Sequence, residues 1–155
     1  MDKTHLQRAI ELATRGMDSG EGGPFGCVIV KNGTIIAEGY NRVTSENDPT
    51  AHAEIVAIRK ACEALGSFQL TGCDLYTSCE PCPMCLGAIY WARPDHVYYA
   101  ATRQDAAEAG FDDDFIYEEL AISPEKRNIP FIKVDMNQAK QPFLLWSQKS
   151  DKIEY

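Results

Sequence analysis

Nine residues of the chain, Thr77-Ser78-Cys79-Glu80-Pro81-Cys82-Pro83-Met84-Cys85, carry three thiols and two prolines directly after a strand-like run. Such a stretch reads as a metal holder. If Pro83 opens a helix, Cys82 and Cys85 both sit in its first turn. There the positive helix end and the unpaired N–H groups favour thiolates. Zn²⁺ is the natural guest of such a pair. A Cys-x-x-Cys alone is equally a redox motif or half of a zinc finger, so the rest of the ligand set decides its meaning.

Two thiolates leave a tetrahedral ion short of ligands, and upstream stands Thr50-Ala51-His52-Ala53-Glu54. His52 is the third candidate ligand. Asp48 and Pro49 read as an N-cap and a first-turn proline. Ile55, Val56, Ile58 and Ala61 supply the apolar stripe of a helix, which places His52 near that helix's start. Glu54 is too close in sequence to share the histidine's direction, yet near enough to reach a water in the fourth metal position. Three ligands and one open position make a catalytic zinc, whereas Cys79 as a further ligand would close the site and make it structural. Cys79 precedes Pro81 at the strand end, and its alternative is small buried packing. His-x-Glu followed by Pro-Cys-x-x-Cys is the signature of the zinc-dependent nucleobase deaminases.

The chain has 155 residues, enough for one domain in which roughly 70% of the unfolded surface is buried. Its net charge of −8 opposes a broad phosphate-binding face, which needs clustered Lys and Arg, so no nucleic-acid partner is expected. No apolar run reaches the ~18 residues of a membrane span. Met1-Asp2-Lys3-Thr4-His5 lacks the basic and apolar regions of a signal peptide, and a cytoplasmic, non-membrane protein is expected. Cys27, Cys62 and Cys73 lie in apolar surroundings and read as buried free thiols.

In chain order, residues 4 to 17 carry Leu6, Ala9, Ile10, Ala13 and Met17 at helical spacing, with Thr4 as a cap. The glycine-rich loop Gly20 to Gly26 lacks the Lys-Ser/Thr ending of a phosphate cradle and is expected to let backbone approach a ligand. Asn32-Gly33 between two apolar runs predicts a hairpin. A helix from about His52 ends at Gly66, a third strand covers Asp74 to Thr77, and the cysteine helix runs to Arg93-Pro94. Val97 to Ala101 is a fourth strand, and helix-strand alternation implies parallel pairing with right-handed crossovers. Residues 105 to 122 are acidic without Lys or Arg and predict a short helix with a solvated face. Phe131 to Val134 is expected as a fifth strand, and 137 to 148 as a closing helix broken near Pro142. The fold class is α/β.

With these motifs the chain resembles the cytidine deaminase-like superfamily and, within it, the small bacterial guanine deaminases. The resemblance rests on Gly22-Gly23-Pro24-Phe25-Gly26, on Asn47 to Glu54, on Tyr76 to Cys85, on Gly87 to Pro94 and on Asp105 to Asp113. Ala107-Glu108-Ala109-Gly110-Phe111-Asp112-Asp113 and the C-terminal Glu154-Tyr155 point to the guanine branch. It implies a three-layer α/β/α sandwich with a five-stranded mixed sheet, a single domain over residues 1–155, and Zn²⁺ held by His52, Cys82 and Cys85. It further implies hydrolysis of guanine to xanthine and ammonia, with a zinc-activated hydroxide attacking C2 and Glu54 shuttling the proton. Asn41 would hydrogen-bond the purine, Phe25 would line the pocket, and Asp113 would assist recognition or proton transfer at the amine. Trp91 is a further pocket candidate. The same resemblance implies a homodimer, with residues from about 137 to 155 open to exchange between protomers and Tyr155 as a cap over the site.

Each of these residues also has a plain reading. Asn41 can merely cap a loop, Asp113 can belong to a solvated acidic run, Phe25 and Trp91 can be ordinary core aromatics, and a terminal Tyr155 can fray. Other aminated heterocycles or nucleosides (guanosine, cytosine, adenine in tRNA) are open alternatives, because one or two pocket side chains redirect such an enzyme. The alternative from another class is a structural zinc module that binds a protein partner.

Overall fold

The computed structural model describes residues 2–155. They form two compact units, one up to Asp113 and one over residues 114–155, each described by itself.

In the first unit, helix α1 (Lys3–Asp18) starts at Asp2, whose side chain accepts from the Thr4 N–H, so the cap lies two residues before the expected Thr4. Strands β1 (Gly26–Lys31) and β2 (Thr34–Tyr40) form the hairpin. Asn32 and Gly33 adopt φ of 51° and 76°, the left-handed pair that a two-residue hairpin turn demands. A short helix α2 (Val43–Glu46) precedes α3 (Ala53–Leu65), which Gly66 ends in the left-handed conformation. Then follow β3 (Cys73–Cys79), α4 (Pro83–Ala92), β4 (His96–Ala101) and α5 (Arg103–Glu108).

The sheet is mixed, in the order β2-β1-β3-β4. β3 and β4 are parallel across the α4 crossover, as alternation implied, but β1 pairs antiparallel with both β2 and β3. Two apolar clusters occupy opposite sides of β1. Cys27 and Ile29 pack with Ala53, Ala57 and Ala61 of α3 and Ile89 and Ala92 of α4. Val28 and Val30 pack with Leu12 of α1 and Tyr76 of β3. This is the period-2 alternation of a strand covered on both faces. Gly39 makes the approach of α3 close: a Cβ there would lie 2.3 Å from the Ala53 carbonyl oxygen and 2.7 Å from the Ala57 nitrogen. The start of α3 is thereby fixed against β2.

The second unit contains α6 (Asp114–Ala121), a 3₁₀ turn (Pro124–Lys126) and α7 (Gln141–Gln148). The expected fifth strand is not found: residues 131–134 take no strand conformation, and four strands are present among the described residues. Phe131, Ile132 and Val134 are exposed and lack the neighbouring ladder that a β-branched run needs to be a strand. Pro142 stands in the first turn of α7 and opens the helix instead of breaking it, because an N-terminal N–H has no intrahelical partner to lose. Among the described residues, no helix is long and apolar enough to cross a membrane.

Candidate active site

Two helix N-termini meet at the site. His52 is the N-cap of α3 and Cys82 the N-cap of α4, both in extended backbone, with Pro83 opening α4. The expected cap at Asp48 is not made. Its carboxylate instead accepts from the Thr50 backbone N–H at 2.8 Å and hydroxyl at 2.7 Å, so Asp-Pro closes a turn of its own and hands the cap to His52. Nearness to a helix start was the right expectation for the histidine, but the helix begins later.

His52 Nδ1 lies 3.5 Å from the Sγ of Cys82 and 3.5 Å from the Sγ of Cys85, and the three ligand atoms all lie within 4.8 Å of one another. A tetrahedral zinc with bonds of ~2.3 Å to sulfur and ~2.05 Å to nitrogen separates those atoms by ~3.6 Å. The donor set and its spacing therefore fit the ion. The Cys82 thiol is lowered to about 4, chiefly by the hydrogen bond it accepts from Cys85, with His52 adding to it. Cys85 is pushed up, first by donating that bond and then by burial. His52 is raised, chiefly by its hydrogen bond to Cys82, and Glu54 and Asp113 add smaller electrostatic pulls.

Glu54, one residue inside α3, is buried. Its Oε1 accepts the Thr77 hydroxyl at 2.7 Å, and its Oε2 accepts the Cys85 thiol at 3.3 Å. Burial raises its pKa, against the lowering effect of those hydrogen bonds. Cys79 is also buried, its thiol raised to about 11 by desolvation. Its Sγ points to the Thr102 carbonyl oxygen at 3.4 Å, and it is not part of the metal-competent trio.

A cavity of about 380 Å³ opens over these groups, and His52, Glu54, Cys82, Asn41, Phe25 and Asp113 all line it. Asn41 is buried, and its Oδ1 accepts backbone N–H groups from Gly23 at 3.3 Å and Val43 at 3.2 Å. Its amide orientation is thereby set, and the NH₂ is what remains to offer. Phe25 meets Phe111 edge to face, centroids 5.0 Å apart. The glycine-rich loop serves this site indirectly: Gly22 packs its backbone against Asn41 itself.

One expected residue of this unit falls elsewhere. Trp91 is 62% exposed and absent from the cavity lining. It lies six positions after Cys85, about 240° around the helix, so it faces away from the sulfur. Tyr155 belongs to the unit 114–155. Conversely, Phe111, Arg103 and Glu80 line the cavity and Thr77 holds Glu54, none of which the sequence reading singled out. Alternation along β3 marks Thr77 as inward with Leu75 and Cys79, a signal that a polar residue there has a buried partner.

The zinc-competent trio beside a buried carboxylate defines a hydrolytic deaminase site, and the chain belongs to the family of the cytidine and deoxycytidylate deaminase zinc-binding region, whose model matches residues 1–101. The chain is 61% identical over 153 residues to the guanine deaminase of Bacillus subtilis, covering 99% of this chain and 98% of that protein. The crystal structure of the guanine deaminase from Bacillus subtilis superposes with a TM-score of 0.98, covering 100% of this chain and 99% of that one. The guanine deaminase from Nitrosomonas europaea matches at 32% identity and a TM-score of 0.69, covering 73% and 65% of the two chains. A tRNA-specific adenosine deaminase of Agrobacterium fabrum is 43% identical over 111 residues, 70% of this chain and 73% of that protein.

Proposed function

We propose that the chain hydrolyses guanine to xanthine and ammonia at a zinc held by His52, Cys82 and Cys85. One observation carries the choice of ring. Asn41 spends its carbonyl oxygen on two backbone N–H groups and offers only donors to a ligand. Guanine offers those donors two adjacent acceptors, O6 and N7, whereas adenine offers N7 alone, beside an exocyclic amine that is itself a donor. Likeness agrees, since the match to the tRNA enzyme spans 111 residues and that to the guanine deaminase 153.

When bound, zinc supplies the Lewis acidity that activates a water near neutral pH. Glu54 takes the first proton of that water and delivers it to a ring nitrogen as C2 is attacked, then takes the second from the hydroxyl now on C2 and passes it to the departing amine as the C–N bond breaks, a role worth about 10²–10⁴-fold. Burial suits Glu54 to the task, because a raised pKa lets the carboxyl hold the proton between those steps. Phe25 and Phe111, packed edge to face on each other, line the ring's pocket, and the Asp113 carboxylate receives the N–H groups on guanine's amine side.

The protein works as a cytoplasmic homodimer on a free base, and residues from about 137 to 155 cross to a second copy, where Tyr155 closes the cavity. In support, Phe143, Leu144 and Leu145 of α7 are more than half exposed in the single chain, an apolar face that a second copy would bury. The sheet unit is a three-layer α/β/α arrangement, with α1 on one side of the sheet and α3 with α4 on the other.

Ammonia release from zinc-loaded protein is measured against guanine, guanosine, cytosine and adenine, with Glu54→Ala in parallel. Turnover of guanine that vanishes in the variant is expected. Preference for adenine would overturn the Asn41 reasoning, and no turnover of any ring would leave a structural zinc module.

A further inference from the structure

We infer that Thr77 is a positioning residue for the proton shuttle: its hydroxyl pins Glu54 Oε1 and so holds Oε2 on the side of the metal trio. This rests on the deaminase reading above. The Thr77 side chain is fully buried, on β3 directly beneath the start of α3. Its hydroxyl donates to Glu54 Oε1 at 2.7 Å. The two carboxylate oxygens thereby acquire different surroundings. Oε1 faces the strand, while Oε2 lies 3.3 Å from Cys85 Sγ, on the side of the metal trio.

Oε2, unlike Oε1, has no partner on the strand and is the oxygen turned toward the metal trio. Oε1 keeps Thr77 throughout, because an oxygen of either the carboxylate or the carboxyl accepts a hydroxyl donor. A carboxylate on a rotatable stem needs such an anchor, since reacting atoms must be held in near-attack geometry for proton transfer to be efficient. The strand supplies the rigidity. Thr77 pairs with Cys27 across β1, and the neighbouring Ser78 hydroxyl accepts the Gly26 N–H at 3.0 Å. The hydroxyl's other neighbour, the Gly26 carbonyl oxygen at 3.4 Å, is the weaker acceptor.

The test compares wild type, Thr77→Val and Thr77→Ser. Valine keeps the branched shape and the strand preference and removes only the hydroxyl. The expected result for Thr77→Val is kcat for guanine about ten- to a hundredfold lower, with KM within about threefold of wild type and zinc content unchanged. Thr77→Ser should recover most of kcat. Wild-type kcat in Thr77→Val, equal losses in both variants, a rise in KM alone, or a loss of zinc would each overturn the assignment. Should Thr77→Val fail to fold, the same comparison is made between Thr77→Ala and Thr77→Ser. Absence of guanine turnover in the wild type would sink the deaminase reading itself, and active wild type beside unaffected Thr77→Val sinks only the role of Thr77.

Discussion

Replacing Gly22 by alanine reaches the substrate site without touching any ligand or catalytic group. The added Cβ would fall 2.2 Å from Asn41 Oδ1 and 2.4 Å from the Asn41 carbonyl oxygen. Non-bonded carbon and oxygen do not approach within 3.0 Å, so about 1 Å of movement must be found. The backbone cannot readily supply it, because the Asn41 N–H donates to the Phe25 carbonyl at 3.0 Å and the Arg42 N–H to the Ala51 carbonyl at 2.9 Å. The Asn41 side chain yields instead, and the NH₂ it offers the purine moves with it. A misplacement of that size costs up to about 10²-fold, so kcat/KM for guanine should fall about ten- to a hundredfold, mainly through KM. Overpacking should cost about 1–3 kcal/mol of stability, several degrees in Tm, with zinc content unchanged. Steady-state kinetics, a thermal melt and metal analysis on one preparation read all three. A Gly22→Ala enzyme with wild-type KM would refute the placement of Asn41 as the purine's partner.

Gly39→Ala should act on Glu54 by the same logic, since its Cβ would press 2.3 Å from the Ala53 carbonyl at the start of α3; a loss of about 1–3 kcal/mol in thermal melts, together with a lower kcat, is expected. Zinc affinity should rise with pH, because burial and the Cys82 thiolate keep Cys85 protonated and His52 is raised as well, so binding must expel protons. Competition with a chelator between pH 6 and 8 measures the slope, and proton release on zinc addition should accompany it. In zinc-free protein, Glu54→Gln should be more stable than wild type at neutral pH. The sign follows from burial, which raises the folded-state pKa above 4.5. The folded state then holds a proton that the unfolded chain has lost, and stability falls as pH rises through that interval. The advantage should disappear at pH below the unfolded value of 4.5, and denaturant melts across pH read it directly.

The metal trio was legible because its chemistry is local: Pro83 and the Cys82–Cys85 spacing announce a helix start, and His52 with Glu54 announces another. The Asn32-Gly33 turn and the Gly66 stop are equally local, each demanded by a backbone conformation. Misreadings arose where two local signals competed or where the answer lay in the third dimension. Asp48-Pro49 carries both a cap and a turn signature, and the carboxylate's bond to Thr50 chose the turn. Residues 131–134 have the composition of a strand, but composition does not provide a neighbour to pair with. Trp91 shares a motif with the ligands, and only the helical phase shows that it faces away. Thr77 and Phe111 could not be assigned from spacing, because their contacts to Glu54 and Phe25 span 23 residues in one case and a different loop in the other.

The most direct test of a zinc-dependent guanine hydrolysis at this site is xanthine formation while zinc is titrated into metal-free protein, with Glu54→Ala carried through the same titration. Activity that climbs to a plateau at one zinc per chain in the wild type, and stays at background in the variant although it binds the same zinc, is the predicted result. Xanthine formation without zinc, or by Glu54→Ala at the wild-type rate, would contradict the account.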